Sequence, residues 1–481
     1  MFRQIYLALR ESILAGQLEP GYRLLPSRTL ADRLGISRTT VTQAYRQLLA
    51  EGFTEGLSGS GTRVCRKLPS TIPEAPTESR EAGGALGPEP PSARRLSRRG
   101  EAIQEERLHY EKTHFHAEAF CPAAIDKEHF PFELWGRSLA RVWRKHGASL
   151  FDYSGPDGYE PLRRAICDYL GERRQLRCSP EHVLVVAGAQ QGLDLCARVL
   201  TDPGDCVGLE NPGYLGARLA FRAAGAECLA ISVDEEGLSV DEAASLPREL
   251  RALYVSPSHQ FPTGVSMTLA RRLALLELAQ ARDLWIIEDD YDSEFRYNSR
   301  PVASLKSLDE RARVVYVGSF SKVLHPSLRI GYMVLPEDLV TAFHGAKACA
   351  DRQTNLLLQA ALVDFLECEE FGRHLKRMRE VYGERRELLV SELKRRCGSF
   401  LEVPPRDEAG LHVSAWLPPG VDDWQLSLTA REHDLELNSF SQYSVAPLRG
   451  RGGLVLGFAG LGAAQIVEGA SRLEQMLQQL V

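Results

Sequence analysis

The sequence lacks the patterns that mark zinc-binding, disulfide-rich and membrane-spanning proteins. It contains ten cysteines, but none of them forms a C-x-x-C pair and no histidine cluster accompanies them. We therefore expect no metal site, and scattered free thiols are typical of a reducing cytoplasm. No apolar run is long enough to span a bilayer. The amphipathic start, MFRQIYLALRESI, has charges inside its apolar pattern, so we expect no signal peptide.

The chain as a whole also lacks the basic surplus that many nucleic-acid-binding proteins carry. Its 481 residues have a formal net charge of -6. The charge is divided unevenly, because residues 1–66 contain nine arginines and only five acidic side chains. A small basic module attached to a large acidic one is typical of a DNA-binding domain joined to a sensor or an enzyme.

The chain is longer than one ordinary domain, and its composition divides it into three parts. Residues 67–107 are rich in proline, glycine, serine, glutamate and arginine and lack large apolar side chains, which predicts a flexible linker. The RRLSRR run inside this segment is typical of a solvated charge run, with contact to DNA or to the other domain as the alternative. The linker separates a head, residues 1–66, from a large domain, residues 108–481. Within the large domain, residues 375–481 are predicted to form a smaller α+β subdomain.

The head has the spacing of a winged helix-turn-helix. Apolar residues repeat at helical intervals in the first segment. A second helix is predicted over residues 27–34 with Ser27 as its N-cap, and Gly35 ends it. Ser37 is then predicted to cap a third helix, RTTVTQAYRQLLAEG, and the stretch FTEGLSGSGTRV predicts two short strands around a turn. The alternative is a three-helix protein-interaction module.

The start of the third helix carries the candidate DNA contacts. In a helix-turn-helix the second helix of the motif enters the major groove, and its first residues reach base edges and phosphates. Arginine and glutamine can pair with bases, and the small hydroxyl residues can bond to either bases or backbone. We expect DNA contacts from Arg28, Ser37, Arg38, Thr39, Thr40 and Gln43, and from Gly61 and Thr62 at the tip of the wing.

The run PGYRLLPSRTLADRLGISRTTVTQAYRQLLAEGF, followed by GSGTRV, resembles the winged helix-turn-helix of the GntR family over nearly all its length. This resemblance implies that the partner is double-stranded operator DNA. It implies DNA contacts from Arg28, Arg38, Thr40 and the wing around Gly61.

The large domain alternates short apolar runs with helical patterns. The apolar runs are HVLVVAG, DCVGLE, ALYVSPS, LWIIEDD and RVVYVGS, and TLARRLALLELAQARD is typical of the stretches between them. This alternation predicts an α/β fold with a mostly parallel central sheet flanked by helices.

One candidate cofactor motif is SFSK, followed seven residues later by an arginine. Lys322 follows a predicted strand, and a lysine there can form a Schiff base with an aldehyde cofactor. Ser319, Ser321 and Arg329 supply the hydroxyl and guanidinium groups that bind a phosphate dianion.

A second motif, IIEDDYDSEF, places acidic residues at the end of a strand, where α/β folds bind ligands. Asp289 is the candidate partner of a protonated pyridine nitrogen, and Tyr291 is the candidate donor to the ring oxygen. Asp290 and Asp292 are expected to be structural or solvated. A metal site in this acidic run is the alternative.

Two further motifs carry weaker signals. Ala189 and Gln190 follow a glycine and open a predicted helix, whose N-terminus suits a phosphate. Tyr214 ends the ENPGY turn, where its ring can stack on a cofactor or pack into its own core. Neither motif decides the function alone.

Taken together, these motifs resemble the fold-type I aminotransferases that use pyridoxal 5'-phosphate (PLP), across roughly residues 115–481. With the head attached, the chain resembles the MocR/GabR subfamily of the GntR regulators, and YSGPDGYEPLRRAI, AGAQQGLDL, ENPGY, SPSHQFPTG, IEDDYDSEFRY and GSFSKVLHPSLRIGY follow the order of that subfamily. The resemblance implies PLP as cofactor, Lys322 as its Schiff-base lysine and a head-to-tail homodimer in which Tyr153 reaches the phosphate of the partner subunit. The other implied cofactor contacts are Ala189, Gln190, Asp289, Tyr291, Ser319, Ser321 and Arg329.

The sequence departs from the aminotransferase pattern on the substrate side. Phe261 stands where aminotransferases carry asparagine before Pro-Thr-Gly, and Val455 stands where many of them carry the arginine that holds a substrate carboxylate. Gly216 occupies a position at which the GABA-responsive member has another arginine. The candidate substitutes for these arginines are Arg218, Arg449 and Arg451.

These departures favour a PLP-dependent transcription regulator over an enzyme. Its aminotransferase-like domain would sense an amine ligand or PLP itself, in the cytoplasm and on the nucleoid. The alternative is a catalytically active aminotransferase with an attached DNA-binding domain.

Overall fold

The computed structural model describes residues 1–57, 61–66, 96–113, 119–297, 303–405, 409–448 and 450–480. The chain divides between residues 93 and 94 into two compact units, which are described separately below.

The N-terminal unit contains the helix-turn-helix and wing that its sequence predicts. Its elements are α1 (Phe2–Leu14), α2 (Ser27–Leu34), α3 (Arg38–Ala50) and the antiparallel strands β1 (Thr54–Leu57) and β2 (Gly61–Val64). Gly35 ends α2 with a left-handed backbone at φ 64°, which glycine adopts without strain. Ser37 caps α3 as predicted, because its Oγ accepts a hydrogen bond from the Thr40 backbone N–H at 3.3 Å.

Two details of the head differ from the prediction. Ser27 is the first residue of α2, and Pro26 is the N-cap, whose ψ of 137° is not helical. Thr62 lies inside β2 opposite Gly56, so it is not at the tip of the wing. Gly61 pairs with Leu57 at the end of the hairpin, and residues 58–60 lie outside the described residues.

The apolar faces of the head helices meet in one small core. Its buried side chains come from all three helices, the loop before α2 and the wing region, and they are Ile13, Leu24, Ala31, Val41, Tyr45, Leu48, Phe53 and Val64. Burying one face of α3 leaves the opposite face, which carries the candidate DNA contacts, toward solvent.

The predicted linker is helical at its end. Residues 67–95 lie outside the described residues, but α4 (Arg98–Thr113) begins inside the segment 67–107 that was predicted to be flexible. The stretch EAIQEERLHYEK consists mostly of residues with good helix propensity, which explains the correction. The RRLSRR run therefore ends in the first turn of α4.

The second unit contains the remaining elements. The helices are α5 (Phe132–His146), α6 (Glu160–Arg174), α7 (Ala189–Leu200), α8 (Leu215–Ala224), α9 (Val240–Ser245), α10 (Leu269–Arg282), α11 (Leu305–Leu308), α12 (Val340–Ala350), α13 (Leu356–Leu366), α14 (Glu369–Cys397), α15 (Asp423–Ala430) and α16 (Ala463–Leu480). The strands are β3 (Val183–Val186), β4 (Cys206–Asn211), β5 (Glu227–Asp234), β6 (Gly237–Leu238), β7 (Leu250–Val255), β8 (Trp285–Asp290), β9 (Val314–Ser319), β10 (Gly331–Val334), β11 (His412–Trp416), β12 (Asn438–Ser439) and β13 (Gly453–Gly457). Short 3-10 helices lie at Pro180–His182, Pro326–Leu328, Glu337–Leu339, Arg431–His433 and Phe440–Tyr443.

Among the described residues, eight strands form the central sheet in the order β3-β10-β9-β8-β7-β4-β5-β6. The run β9-β8-β7-β4-β5 is parallel, as predicted. The sheet as a whole is mixed, because β10 is antiparallel to both of its neighbours and β6 is antiparallel to β5. The apolar run of β10, GYMV, is too short to reveal its direction in the sequence.

Helices cover both faces of this sheet. In β3 the side chains of Val183 and Val185 enter one apolar cluster, with residues of α5, α6 and α13. The alternate side chains, Leu184 and Val186, enter another with residues of α7, α8 and α12. Successive side chains of a strand point to opposite faces, so the sheet is buried on both sides.

The C-terminal part is a smaller α+β layer. Strands β11, β13 and β12 form an antiparallel sheet, and its core includes side chains of α14, α15 and α16. Helix α14 starts at Glu369 and continues through residue 375, where the smaller subdomain was predicted to begin. None of the helices in the described parts of the chain has the length and apolarity needed to cross a membrane.

Candidate functional site

The predicted cofactor residues lie at one edge of the central sheet. Ser319 ends β9, and Asp290 ends β8 and pairs with the neighbouring Gly318. Gly331 begins the antiparallel strand β10 and pairs with both Ser319 and Val186. The carboxyl ends of the parallel strands and the turns that follow them therefore meet at this edge, which is where α/β sheets bind ligands.

Asp289 is a buried carboxylate with one unused oxygen. Its Oδ2 accepts a hydrogen bond from the Tyr254 hydroxyl on the adjacent strand at 2.8 Å. Its Oδ1 is buried and has no hydrogen-bond partner among the described residues. Burial raises the pKa of Asp289 to about 7, against the opposing effect of the Tyr254 hydrogen bond. A protonated ring nitrogen is the kind of donor that satisfies such an oxygen and restores the charged carboxylate.

Lys322 follows β9 in the turn after Ser319. Its Nζ donates a hydrogen bond to the Ala123 carbonyl oxygen at 3.0 Å. Burial lowers the pKa of Lys322, and the negative charge of Asp292 opposes that shift. A lowered pKa enlarges the fraction of neutral amine, which is the nucleophilic form that attacks an aldehyde.

The turn before α7 and Arg329 together form a cradle for an anion. Gly188 has φ 95°, and the helix that starts at Ala189 has no side-chain cap. A Cβ at Gly188 would lie 3.1 Å from Nη2 of Arg329, so the glycine lets the guanidinium approach the turn. That Nη2 donates to the Ala187 carbonyl oxygen at 2.6 Å. A helix N-terminus beside a guanidinium suits a phosphate dianion.

The hydroxyl turn lies beside this cradle. The Ser319 Oγ accepts a hydrogen bond from the Ser321 backbone N–H at 3.1 Å. The Gln190 amide donates to the Gly216 carbonyl oxygen at 2.8 Å, so this side chain already has a structural partner. At the start of α7, the backbone N–H groups of Ala189 and Gln190 are the groups that can bind a ligand.

Tyr214 lies just before α8. Its hydroxyl donates to the Gln190 Oε1 at 3.4 Å, and its ring centroid is 6.3 Å from that of Phe261. A Cβ at Gly216 would lie 2.4 Å from the Cε1 of Tyr214. An arginine at position 216 would therefore displace the tyrosine ring, which explains why glycine stands there.

Tyr291 belongs to a buried network that sequence reasoning missed. Its hydroxyl donates to the His259 carbonyl oxygen at 2.9 Å and also lies 3.0 Å from the His259 Nδ1. The same Nδ1 lies 2.9 Å from the Asp292 Oδ2, and the His412 ring centroid is 4.8 Å from that of His259. Burial lowers the pKa of His412 well below its usual range, so this imidazole is neutral. The SPSHQ segment was a visible signal for His259, whereas nothing near His412 in the sequence indicated the site.

The trio of His259, Asp292 and His412 has ligand atoms within 4.8 Å of one another. Each of the three residues has a protein partner, because Asp292 bonds to the His259 Nδ1 and the His412 Nε2 bonds to the Pro262 carbonyl oxygen at 3.1 Å. We assign the trio to hydrogen bonding around Tyr291 and keep the expectation of no metal site.

Asp290 and Asp292 both have structural partners, in line with their predicted roles. Asp290 pairs with Arg174 at 2.5 Å and accepts a hydrogen bond from the Tyr316 hydroxyl at 2.6 Å. All three of these side chains are buried. The pair connects helix α6 to the strand that carries Asp289.

Glu210 is a second buried acid that the sequence did not single out. It accepts hydrogen bonds from the Ser256 Oγ at 2.7 Å and from the Gln260 Nε2 at 3.1 Å. Burial raises the pKa of Glu210 to about 7. The carboxyl group ties the end of β4 to the turn that carries His259, and so it positions the network around Tyr291.

The substrate side of the site is apolar. The ring of Phe261 lies 6.2 Å from that of Tyr291 and 4.8 Å from that of Tyr443, as centroid distances. Val455, in β13, is fully buried and packs with Leu215 and Tyr443. Hydrocarbon therefore surrounds Val455, the residue expected from the sequence to stand in place of a carboxylate-binding arginine.

Tyr153 is an exposed side chain that precedes α6. It is 78% exposed, and the Arg352 guanidinium lies 4.4 Å from its ring centroid. Phe151 and Trp143, close by in the sequence, are also exposed. Exposed aromatic groups of this size are typical of an interaction surface.

The candidate DNA contacts are grouped in the head. Arg28, Arg38 and Gln43 are exposed, and the Arg38 Nε lies 3.5 Å from the Ser27 Oγ at the start of α2. The remaining candidates in this region are Ser37 and Thr39, which are exposed, Thr40, which is half-buried, and Gly61 and Thr62 in the wing.

The residues at the sheet edge fit PLP. The unused Asp289 Oδ1 matches the ring nitrogen, Gly188 leaves room for Arg329 at the phosphate cradle, and Lys322 provides the amine. Each of these three features corresponds to a different part of the cofactor: the ring nitrogen, the phosphate and the aldehyde.

Comparison with known proteins supports both units. Residues 2–64 match the family described as "Bacterial regulatory proteins, gntR family", and residues 123–415 match "Aminotransferase class I and II". The chain is 38% identical to the "Probable rhizopine catabolism regulatory protein MocR" of Rhizobium meliloti, over 98% of this chain and 93% of that protein. It is 32% identical to the "HTH-type pyridoxine biosynthesis transcriptional regulator PdxR" of Corynebacterium glutamicum, over 81% of this chain and 78% of that protein.

A solved structure matches the large unit. The α-aminoadipate aminotransferase LysN of Thermus thermophilus, complexed with N-(5'-phosphopyridoxyl)-L-leucine, is 32% identical. The match covers 80% of this chain and 97% of LysN, with a TM-score of 0.73. The helix-turn-helix head, the PLP-binding aminotransferase fold and the similarity over nearly the whole chain lead to one assignment. The chain belongs to the MocR group of GntR-family transcription regulators, which join a DNA-binding head to a PLP-dependent aminotransferase-like domain.

Proposed function

We propose that the aminotransferase-like domain holds PLP on Lys322 and works as a sensor that controls the DNA-binding heads. The observation that carries this proposal is the contrast within one site. The cofactor side offers Asp289, Lys322 and Arg329, whereas the substrate side offers the apolar Val455 in place of a carboxylate-binding arginine.

The proposed roles follow from the contacts of each side chain. Lys322 would bind the aldehyde carbon, and Asp289 would keep the ring nitrogen protonated. Tyr291 would donate its one hydroxyl hydrogen to the ring oxygen in place of the His259 carbonyl oxygen, and the His259 Nδ1 at 3.0 Å would orient the hydroxyl. Tyr214 stacks on the ring. The phosphate is held by Ala189, Gln190, Ser319, Ser321 and Arg329. When bound, PLP supplies an electron-withdrawing ring and an aldehyde carbon that reacts with primary amines.

The effector in this proposal is a small amine or PLP itself. An effector changes DNA binding only if it binds two conformations of the protein with different affinities. The DNA contacts come from Arg28, Ser37, Arg38, Thr39, Thr40 and Gln43, with Gly61 and Thr62 in the wing.

We propose a head-to-tail homodimer in which Tyr153 reaches the cofactor phosphate of the partner subunit. The exposure of Tyr153, Phe151 and Trp143 supports a subunit surface at this place. Two heads in one dimer suit a repeated or inverted half-site on DNA. The proposed location is the cytoplasm, on the nucleoid.

The test follows PLP and DNA in the same preparation. Wild-type protein is titrated with PLP while visible absorption is recorded, and its affinity for the DNA upstream of its own gene is measured with and without PLP. We expect a visible band in the wild type and none in Lys322→Ala, with the exposed Lys376→Ala as the control that keeps the band. If neither PLP nor amines change the DNA affinity of the wild-type protein, the sensor proposal is wrong.

An active aminotransferase is the second candidate, and the similarity to LysN over 80% of the chain favours it. The discriminating measurement is keto-acid formation from amino donors over many turnovers. Turnover that continues beyond one equivalent of protein would replace the sensor proposal by this one.

A further inference from the structure

One wall of the site is built around the aromatic ring of Phe261. The Phe261 ring lies 6.3 Å from Tyr214 and 6.2 Å from Tyr291, which flank the cofactor position, and 4.8 Å from Tyr443, as centroid distances. The ring therefore extends from the cofactor residues into an apolar cluster. That cluster contains Leu215, Phe440, Tyr443 and Val455, with Phe261, Trp416 and Leu448 packed against it.

Of the three candidate arginines, Arg218 and Arg451 are already engaged by the protein, and Arg449 lies outside the described residues. The Arg451 Nη1 lies 2.8 Å from the Glu402 Oε2, and its guanidinium lies 5.7 Å from the Trp416 ring centroid. The Arg218 Nη1 donates to the Ser444 carbonyl oxygen at 3.0 Å. Moving either guanidinium to a ligand carboxylate would break these contacts.

The segment that carries Tyr443 is fastened to the turn that carries Tyr214. The Gly213 N–H donates to the Tyr443 carbonyl oxygen at 2.9 Å. The Asn211 Oδ1 accepts from the Val445 N–H at 2.8 Å. This apolar wall is consequently preorganised, and a ligand must match it rather than reshape it.

We propose that the effector is a primary amine with an apolar substituent and no carboxylate on the amine-bearing carbon. The inference rests on the proposed function, in which this domain is a sensor, and it names the ligand class of that same site. The amine nitrogen lies toward Lys322, and the substituent lies against Phe261 and Tyr443, behind which the fully buried Val455 packs. Among the described arginines near that wall, Arg218 and Arg451 are held by other contacts, so a carboxylate would lose its hydration without a cation placed to receive it. An apolar group gains from burial there.

The experiment compares matched ligand pairs that differ only in the carboxylate. PLP-loaded wild-type protein is titrated by calorimetry with 2-phenylethylamine against L-phenylalanine, and with 3-methylbutylamine against L-leucine. We expect each amine to bind about tenfold more tightly than its amino acid, or better.

Variants of the wall test the cause of that preference. Val455→Arg supplies the missing cation, and Phe261→Asn supplies the missing amide in case the buried arginine prevents folding. We expect either variant to shift the preference toward the amino acid by about tenfold. The control Gln425→Arg adds an arginine on the exposed face of α15 and should leave the preference unchanged.

The outcomes separate this inference from the proposed function. Equal or tighter binding of the amino acids by the wild type overturns the inference, and so does a loaded protein that binds neither member of a pair. In both cases PLP binding and PLP-dependent DNA binding would still support a sensor. A wild type that binds no PLP would overturn the proposed function itself.

Discussion

The DNA-binding head and the cofactor site are built in opposite ways. The main candidate DNA contacts fall between Arg28 and Gln43, most of them are exposed, and one short motif positions them. The candidates that bind the cofactor of their own subunit are spread from Ala189 to Arg329, and the side chains around Asp289 and Tyr291 are buried in shared hydrogen bonds. The comparison teaches that a change in the head should act on one contact, whereas a change at the sheet edge should act on several groups together.

The largest effect is expected at Asp289. We expect Asp289→Asn to weaken PLP binding by about a hundredfold, because removing one partner of a buried charge pair costs several kcal/mol. Calorimetric titration with PLP measures the change. DNA binding by the cofactor-free protein should be unaffected. A loss of DNA affinity in this variant would contradict the independence of the two regions.

Asp289→Asn should also stabilise the cofactor-free protein at high pH, although it weakens PLP binding. Burial raises the pKa of Asp289 to about 7 in the folded protein, so between about pH 4 and pH 7 the folded state holds a proton that the unfolded state has lost. The cofactor-free wild type therefore loses stability as pH rises through this window. Asp289→Asn should be more stable than the wild type by about 1 to 3 kcal/mol at pH 8, with little difference at pH 4, as measured by denaturant unfolding.

A smaller effect is expected at Arg38, on the exposed face of α3. We expect Arg38→Ala to weaken DNA binding about tenfold, since one base or phosphate contact is worth about 1 to 3 kcal/mol. Fluorescence anisotropy with the upstream DNA measures it, and Arg3→Ala is the control from α1. PLP affinity should stay the same, and a parallel loss of PLP would show that the regions are coupled.

The smallest effect is expected at Ser37, whose Oγ caps α3. Ser37→Ala should lower the stability of the head by about 1 kcal/mol, because one backbone N–H loses its partner. Hydrogen exchange of the first turn of α3 measures this change. If the exchange rates of these amides do not change, a water molecule replaces the Ser37 hydroxyl without loss of stability, and the prediction is wrong.

Much of this protein was predictable from local sequence. Gly35 and Ser37 mark the helix-turn-helix because a turn and a cap depend on neighbouring residues alone. The spacing of Lys322 and Arg329 behind an apolar strand indicated a PLP site for the same reason. The helix from Arg98 onward was missed because composition suggested a linker, although the residues after Gly100 favour a helix.

What the tertiary structure decided is the set of contacts between distant segments. The antiparallel direction of β10, the unused oxygen of Asp289 and the placing of His412 beside His259 depend on strands far apart in the chain. The sequence determined which residues are chemically able to hold PLP and DNA, since side-chain type and local spacing suffice for that. Only the fold decided that Phe261 and Val455 share one apolar wall with Tyr443, because burial is a property of packing rather than of any one residue.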